Sequence, residues 1–312
     1  MSISRALELA RTARGRAYPK PTVGAVVVRD GEIVGEGATE AAGRHAEIVA
    51  LDAAGERARG ATLYVTLEPC AHHGTTPPCT EAILAAGLER VVFGARDPNP
   101  KAAGGEERLR DAGIDVEFVD WFDARVLNEA WRTWVTRQRP FVTYKVAVTL
   151  DGRVTLPGRR WISGEESRRL VHELRADSDA VAVGGGTART DRPRLDARGV
   201  DTPRGQPRRL VFSRGPLPEG LDLERRSGPL EEELRSLAGE GVQSMLLEGG
   251  PMLAGSFLAA DLVDKLLVFI APVLGGEGPG LVAALPSPRA LTRLAATQVG
   301  EDVLLEAYVH EP

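Results

Sequence analysis

Cysteine is nearly missing from this chain of 312 residues: it has two, Cys70 and Cys79, too few for a disulfide framework to hold it together. Long apolar runs are missing too, and none approaches the roughly 18 to 20 residues a membrane-spanning helix requires. Met1 to Lys20 lacks the apolar centre of a signal peptide. These absences point to a cytoplasmic protein that does not enter a membrane. Basic residues are outnumbered, 39 Lys and Arg against 44 Asp and Glu, and the net charge of -5 excludes broad attraction to nucleic-acid backbones. A local basic pocket for one small phosphate is still permitted. With 43% hydrophobic and 27% charged residues the chain has ordinary globular composition, and its length predicts two domains.

Strand-like and helix-like patterns alternate throughout, which predicts an α/β protein. In the first part the strands are Val23 to Val28 and Ile33 to Glu36 about an Asp30-Gly31 turn, then Thr62 to Leu67, Arg90 to Phe93 and Asp115 to Val119. Helices are expected from His45 to Arg59, from Thr80 to Ala86, and from Asp123 to Gln138, the last closed by Pro140. A second series has strands Phe141 to Val148, Ala180 to Val183, Arg208 to Phe212, Ser244 to Leu247 and Lys265 to Ile270, with a helix from Gly164 to Arg175. Segments rich in Pro, Gly and charge, Arg192 to Gln206 and Gly215 to Glu233, are expected to be loops. The division is placed at residues 1–140 and 141–312.

Both cysteines and three of the five histidines fall between positions 45 and 79. His45, Cys70 and Cys79 make a soft three-ligand set suited to Zn2+, with a fourth tetrahedral position left for water. Glu47 follows His45 by two residues, near enough to exchange protons with such a water without being a ligand. That arrangement is the chemistry of zinc deaminases. Pro77-Pro78-Cys79 sets the second sulfur at a helix start, where the dipole favours a thiolate. A Cys70–Cys79 disulfide and a closed structural centre using His72 or His73 are the competing readings.

The run Val65-Thr66-Leu67-Glu68-Pro69-Cys70-Ala71-His72-His73-Gly74-Thr75-Thr76-Pro77-Pro78-Cys79, with Asp97-Pro98-Asn99-Pro100, resembles the deaminase half of the bifunctional riboflavin-biosynthesis deaminase/reductases. The resemblance implies a cytidine-deaminase-like fold, zinc on His45, Cys70 and Cys79, and Glu47 as catalytic proton shuttle. Two positions depart from the family: Lys20 stands where it usually has Asn, and Thr75 where it usually has a basic residue. Lys20 is a candidate for the missing cation.

In the second part, Gly184-Gly185-Gly186-Thr187 and Gly249-Gly250-Pro251 follow apolar runs, as turns that let backbone amides approach a pyrophosphate do. The same turns also occur as plain connections. Ser213-Arg214 is either a 2′-phosphate contact or a solvated loop. Arg139-Pro140-Phe141-Val142, Leu150-Asp151-Gly152-Arg153, Trp161-Ile162-Ser163, Leu174-Arg175-Ala176 and Leu247-Glu248-Gly249-Gly250-Pro251 resemble the reductase half of the same family, in the same order. That half is similar to dihydrofolate reductase. The resemblance implies NADPH at Ala147, Trp161, Thr187, Asp191, Ser213, Gly250, Pro251, Met252, Leu253, Ala254, Gly255 and Ser256. It implies substrate contacts at Lys145, Arg159, Arg175, Leu195, Arg198 and Glu248. The stretch between Arg153 and Trp161 is shorter than usual, and Arg192 stands where an aspartate is common. The implied activity is deamination of a phosphorylated diaminopyrimidine followed by NADPH-dependent reduction of its sugar, by a homo-oligomer. Rival readings are a zinc deaminase of another pyrimidine or nucleoside fused to a reductase-like domain, and a non-catalytic zinc-stabilised binding protein.

Overall fold

A computed structural model describes residues 2–15, 17–41, 43–73 and 77–312. The Thr75 departure lies outside them. The chain forms two compact units, Met1–Arg137 and Gln138–Glu311.

The first unit runs α1 (Ser2–Thr12), β1 (Gly24–Arg29), β2 (Glu32–Ala38), α2 (Ala46–Ala54), β3 (Thr62–Val65), α3 (Cys79–Ala86), β4 (Arg90–Phe93), α4 (Gly105–Asp111), β5 (Asp115–Phe118), α5 (Phe122–Leu127) and α6 (Glu129–Arg137). Its described strands form one sheet in the order β2-β1-β3-β4-β5. β1 is antiparallel to both neighbours, and β3, β4 and β5 are parallel. Asp30 and Gly31 close the hairpin with φ of 51° and 83°, the left-handed pair whose twist suits paired strands. Glycines on these strands mark where helices cross. A Cβ at Gly24 would lie 1.9 Å from the Ala6 carbonyl oxygen, and one at Gly37 would lie 2.3 Å from that of Ala46. The helices therefore rest directly on strand backbone, and this contact sets the height of the first turn of α2. Ala25, Val27, Leu63, Val65, Val91 and Phe93 fill the core, joined by Trp131 of α6.

Three local expectations change. The helix read from His45 to Arg59 is α2 followed by a tighter 3-10 turn, Gly55–Ala58, because Gly55 turns to φ 55°. The helix read from Asp123 to Gln138 breaks at Asn128. That amide leaves the helical path to accept from the Thr22 backbone N–H at 2.8 Å and donate to the Thr22 carbonyl at 2.9 Å. α1 was not anticipated.

The second unit runs β6 (Phe141–Thr149), α7 (Glu165–Ala176), β7 (Ala180–Gly184), α8 (Gly185–Asp191), β8 (Arg208–Phe212), β9 (Glu224–Arg226), α9 (Leu230–Gly239), β10 (Ser244–Leu247), α10 (Pro251–Ala259), β11 (Lys265–Ala271), β12 (Thr292–Val299) and β13 (Asp302–Tyr308). The described strands order as β12-β13-β11-β6-β10-β7-β8-β9. β9 through β11 are parallel, and β13 and β12 are antiparallel additions at one edge. Every residue of β7 is buried, as the uninterrupted apolar run requires of a strand covered on both faces. The loop read from Gly215 to Glu233 instead holds β9 and the start of α9. β9 is an edge strand of charge, with Glu224 and Arg226 paired to Arg208 and Glu240, so no apolar alternation announces it. β12 is likewise an edge and buries none of its residues.

Asp264, 1% exposed, ties the start of β6 to the start of β11. It accepts from Arg139 Nη1 at 2.6 Å and Nη2 at 2.7 Å, and from the Val142 N–H at 2.8 Å. Asp264→Ala strands the Arg139 guanidinium in the interior, and the expected loss is about 3–5 kcal/mol of unfolding free energy. It is read as a lowered urea midpoint, and an unchanged midpoint would refute the assignment.

Candidate active sites

Three side chains meet at the amino end of α2. His45 caps that helix, Cys79 opens α3, and Cys70 lies on the loop after β3. His45 Nδ1 is 3.1 Å from Cys79 Sγ and 3.7 Å from Cys70 Sγ, and all three donor atoms lie within 4.8 Å of one another. Zinc bonds of roughly 2.0–2.3 Å in a tetrahedron put neighbouring donors roughly 3.3–3.8 Å apart, so the set fits the ion in chemistry and comes within a few tenths of an ångström of its nitrogen–sulfur spacing. Both cysteines are free thiols, which removes the disulfide reading. Among the described residues no fourth His, Cys, Asp or Glu joins the group. His73 is exposed and paired with Glu81 instead.

Hydrogen bonding reinforces the cluster. The Cys79 thiol, then His45 and the Cys79 N–H, hold the Cys70 sulfur down at about 4, against its burial. The bond to Cys70, with burial, pushes Cys79 up, and the same sulfur raises His45. Glu47 is 4% exposed, and burial raises its pKa.

His45, Glu47 and Cys70 line a cavity of about 320 Å³, together with Lys20, Pro21, Thr39, Leu67, Glu68, His72, Asp97, Asn99, Trp131 and Trp134, while Cys79 lies fully buried behind it. Lys20 is the one lysine or arginine among these, and a Cβ on Gly43 would touch its Nζ at 2.9 Å. Asp97 is pushed up to about 6, chiefly by burial. Glu68 accepts from the backbone N–H groups of Asp97 and Glu106, holding the Asp97-to-Asn99 turn at the rim. The Asn128 amide fixes Thr22 beside the Lys20-Pro21 wall, on the chain that continues into Trp131 and Trp134. His72 Nδ1 is buried without a partner among the described residues.

In the second unit the pairing of Leu247 with Tyr144 puts Glu248 next to Lys145. Lys145 Nζ is 3.0 Å from Glu248 Oε2, Arg175 Nε is 2.6 Å from Oε1 and Arg175 Nη2 is 3.0 Å from Oε2. Arg175 also donates to the Asp196 carbonyl, so its fork is engaged within the protein. Burial alone would raise the Glu248 pKa, but Lys145 and Arg175 outweigh it and hold the carboxyl at about 2. Of the other expected substrate residues, Arg198 is half exposed and 3.3 Å from Asp196. Leu195 has φ 58° and buries its side chain with Val181, Val183 and Val211, so any ligand contact there falls to its backbone. No contact joins Arg159 to the Glu248 cluster among the described residues.

Of the expected dinucleotide residues, Thr187, Ser213 and the turn from Gly250 lie at the carboxyl ends of the adjacent parallel strands β7, β8 and β10. A Cβ on Gly250 would lie 3.5 Å from Thr187 Oγ1, and one on Gly185 would lie 2.4 Å from Ser213 Oγ, so both glycine turns and both hydroxyls share one surface. This cradle of small residues fits a pyrophosphate-bearing cofactor. Ala147 follows Lys145 on the same face of β6, and Asp191 ends α8 exposed. Trp161 is exposed, flanked by Arg160 and Arg168. Within Gly250 to Ser256, Ala254 and Gly255 turn to the core while Met252 and Ser256 face outward.

A deaminase-type metal cluster in one unit and a dinucleotide cradle in the next define a two-domain deaminase and reductase. The sequence profile of the cytidine and deoxycytidylate deaminase zinc-binding region matches residues 2–95, and that of the RibD C-terminal domain matches residues 140–305. The riboflavin biosynthesis protein RibD of Aquifex aeolicus is 41% identical over 96% of this chain and 95% of its own. That of Escherichia coli is 38% identical over 89% of each. Among solved structures, Acinetobacter baumannii RibD superposes with a TM-score of 0.85 at 33% identity, covering 98% of this chain and 97% of its own. The Thermotoga maritima diaminohydroxyphosphoribosylaminopyrimidine deaminase/5-amino-6-(5-phosphoribosylamino)uracil reductase does so at 0.81 and 34%, with the same coverage. The chain belongs to the RibD family of bifunctional riboflavin-biosynthesis deaminase/reductases. Its fold is accordingly a cytidine-deaminase domain followed by a reductase domain of dihydrofolate-reductase type, and its cofactors are zinc and NADPH. No helix of the described residues is long and apolar enough to cross a membrane.

Sequence reasoning did not assign roles to Glu68, Asp97, Trp131 or Trp134. Asp97 carried a signal in its Asp-Pro-Asn-Pro turn, but nothing local tells that the tryptophans of α6 reach the cavity. The Glu248 cluster gives a pH prediction. Its carboxyl lies below the ordinary 4.5, so its charge stabilises the fold above that pH, and the contribution is lost as pH falls from about 4.5 towards 2. A carbon-13 titration is expected to find Glu248 ionised at pH 3.5 and to see its pKa rise in Lys145→Met; ordinary titration near 4.5 in the unsubstituted protein would contradict the geometry.

Proposed function

We propose that His45, Cys70 and Cys79 hold the zinc and that Glu47 moves the proton in hydrolytic loss of the 2-amino group from 2,5-diamino-6-ribosylamino-4(3H)-pyrimidinone 5′-phosphate. The observation that carries this reading is a buried carboxylate in the first turn of α2, two residues from His45, lining the same cavity as His45 and Cys70 of the three-donor set. A zinc ion, when bound, supplies the Lewis acidity that makes water nucleophilic at neutral pH. Glu47 does the acid–base work. Burial favours its protonated form, so the carboxyl that takes a proton from water retains it until the departing amine accepts it. Trp131 and Trp134 give the pyrimidine an apolar wall, Asp97 and Asn99 offer it polar partners, and Lys20 receives the phosphate.

In the second unit NADPH, when bound, supplies the hydride that converts the ribosyl side chain to ribityl. The proposed contacts are Ala147, Trp161, Thr187, Asp191, Ser213 and the turn beginning at Gly250. Lys145 and Glu248 stand at the sugar as a fixed ion pair, Arg175 positions Glu248, and the exposed Arg198 meets the phosphate. Residues 1–140 form the deaminase and 141–312 the reductase. The enzyme works in the cytoplasm as a homo-oligomer on this small phosphorylated pyrimidine, and not on nucleic acid or at a membrane.

Glu47→Gln is expected to lower ammonia release by at least 10²-fold while zinc content stays near one per chain and reduction of supplied deaminated intermediate continues. Retained ammonia release would remove Glu47 from the chemistry. Lys20→Ala is expected to raise KM for the phosphorylated pyrimidine roughly tenfold, with kcat little changed; an equal effect on the dephosphorylated nucleoside would place Lys20 elsewhere on the substrate.

A further inference from the structure

We propose that Arg189 is a cofactor-selecting residue that, with Ser213 and Arg214, grips the 2′-phosphate of the reduced dinucleotide. The inference rests on the reading of the second unit as an NADPH site and goes beyond the contacts carried over from its family.

The geometry converges on Gly185. A Cβ there would lie 2.4 Å from Ser213 Oγ and 3.2 Å from Arg189 Nη1, and one on Gly215 would lie 3.9 Å from the same Nη1. Gly185 has no side chain, so the Ser213 hydroxyl and the Arg189 guanidinium both close over its backbone and stand together at the carboxyl ends of β7 and β8, where the hydroxyl also donates to the Gly215 carbonyl at 3.2 Å. In open α/β sheets this is where ligands bind, and an arginine near the ribose is the device that accepts a 2′-phosphate.

Charge bookkeeping around the patch points the same way. Arg208, Arg209 and Arg226 of the neighbouring strands are each paired with a carboxylate, namely Glu224 and Glu240, Asp222, and Glu240 with Glu224 and Glu233. Arg189, Arg214 and Arg225 have no carboxylate partner among the described residues. Arg189 is exposed and donates to the Pro216 carbonyl at 3.2 Å. Arg225 donates to the carbonyls of Ser213 at 2.9 Å and Arg214 at 2.8 Å, which fixes the turn carrying the hydroxyl. Arg189 beside the hydroxyl and Arg225 on the turn that carries it, with Arg214 next in sequence to Ser213, form a local excess of positive charge on a chain of net charge -5. A planar fork suits a phosphate.

The test is calorimetric, on the full chain, using adenosine 2′,5′-bisphosphate and ADP as probes. The unsubstituted protein is expected to bind the 2′-phosphorylated probe more tightly. Arg189→Ala is expected to weaken that probe tenfold or more while ADP stays within about twofold, with Arg189→Lys intermediate and the preference shrinking as salt is raised. If Arg189→Ala weakens both probes equally, or neither, Arg189 merely clips the Pro216 turn and the proposal falls. If the unsubstituted protein binds neither probe, the dinucleotide reading itself falls, and the proposal with it.

Discussion

Electron-rich atoms brought together in a protein interior repel one another unless positive charge lies between them or protons are shared among them. Cys70, Cys79 and His45 are in that position, and hydrogen bonds share protons among them: one sulfur is drawn towards thiolate while the other keeps its proton. A dication meets the demand of all three donors at once. The surrounding fold exists to keep them from relaxing apart. α2 is pressed onto Gly35 and Gly37, α3 begins at Cys79 itself, and the Cys79 N–H reaches back to the Cys70 sulfur. Glu47 inherits its place from the same contact, since the first turn of α2 cannot rise off the sheet without losing it.

The second unit solves a related problem with fixed charges. Glu248 is buried, and a buried carboxylate is tolerated only with compensating partners. Lys145 from one strand and Arg175 from a helix provide them, so strand register and helix packing are both encoded in one ionised group. Asp264 does the same at the base of the sheet with Arg139. Function and stability thus draw on one device, a carboxylate tied by more than one donor, at opposite ends of the strands.

What could be read without coordinates was whatever chemistry is concentrated in a short stretch. The His-x-Glu pair and the two cysteines lie within 35 positions, and the turns at Asp30-Gly31, Gly184 and Gly249 are written in residues with few other uses. Elements whose identity comes from distant partners were not legible. β9 and β12 are edges without an apolar period, α1 is recognised by the glycine it rests upon, and the break at Asn128 depends on a backbone 106 positions away. The same holds for the pairing of Arg175 with Glu248 and for the packing of Leu195 against Val181 and Val183, both made by residues that are not neighbours in the chain.

The Asn128 amide addresses only main-chain atoms of Thr22, one as donor and one as acceptor, in the manner of a neighbouring strand. Side-chain identity at positions 20 to 22 is thereby uncoupled from the spacing between the two walls of the cavity. A lineage can exchange asparagine for lysine at the mouth and alter what is recognised there, while the aperture, held by backbone geometry, stays the width the pyrimidine needs.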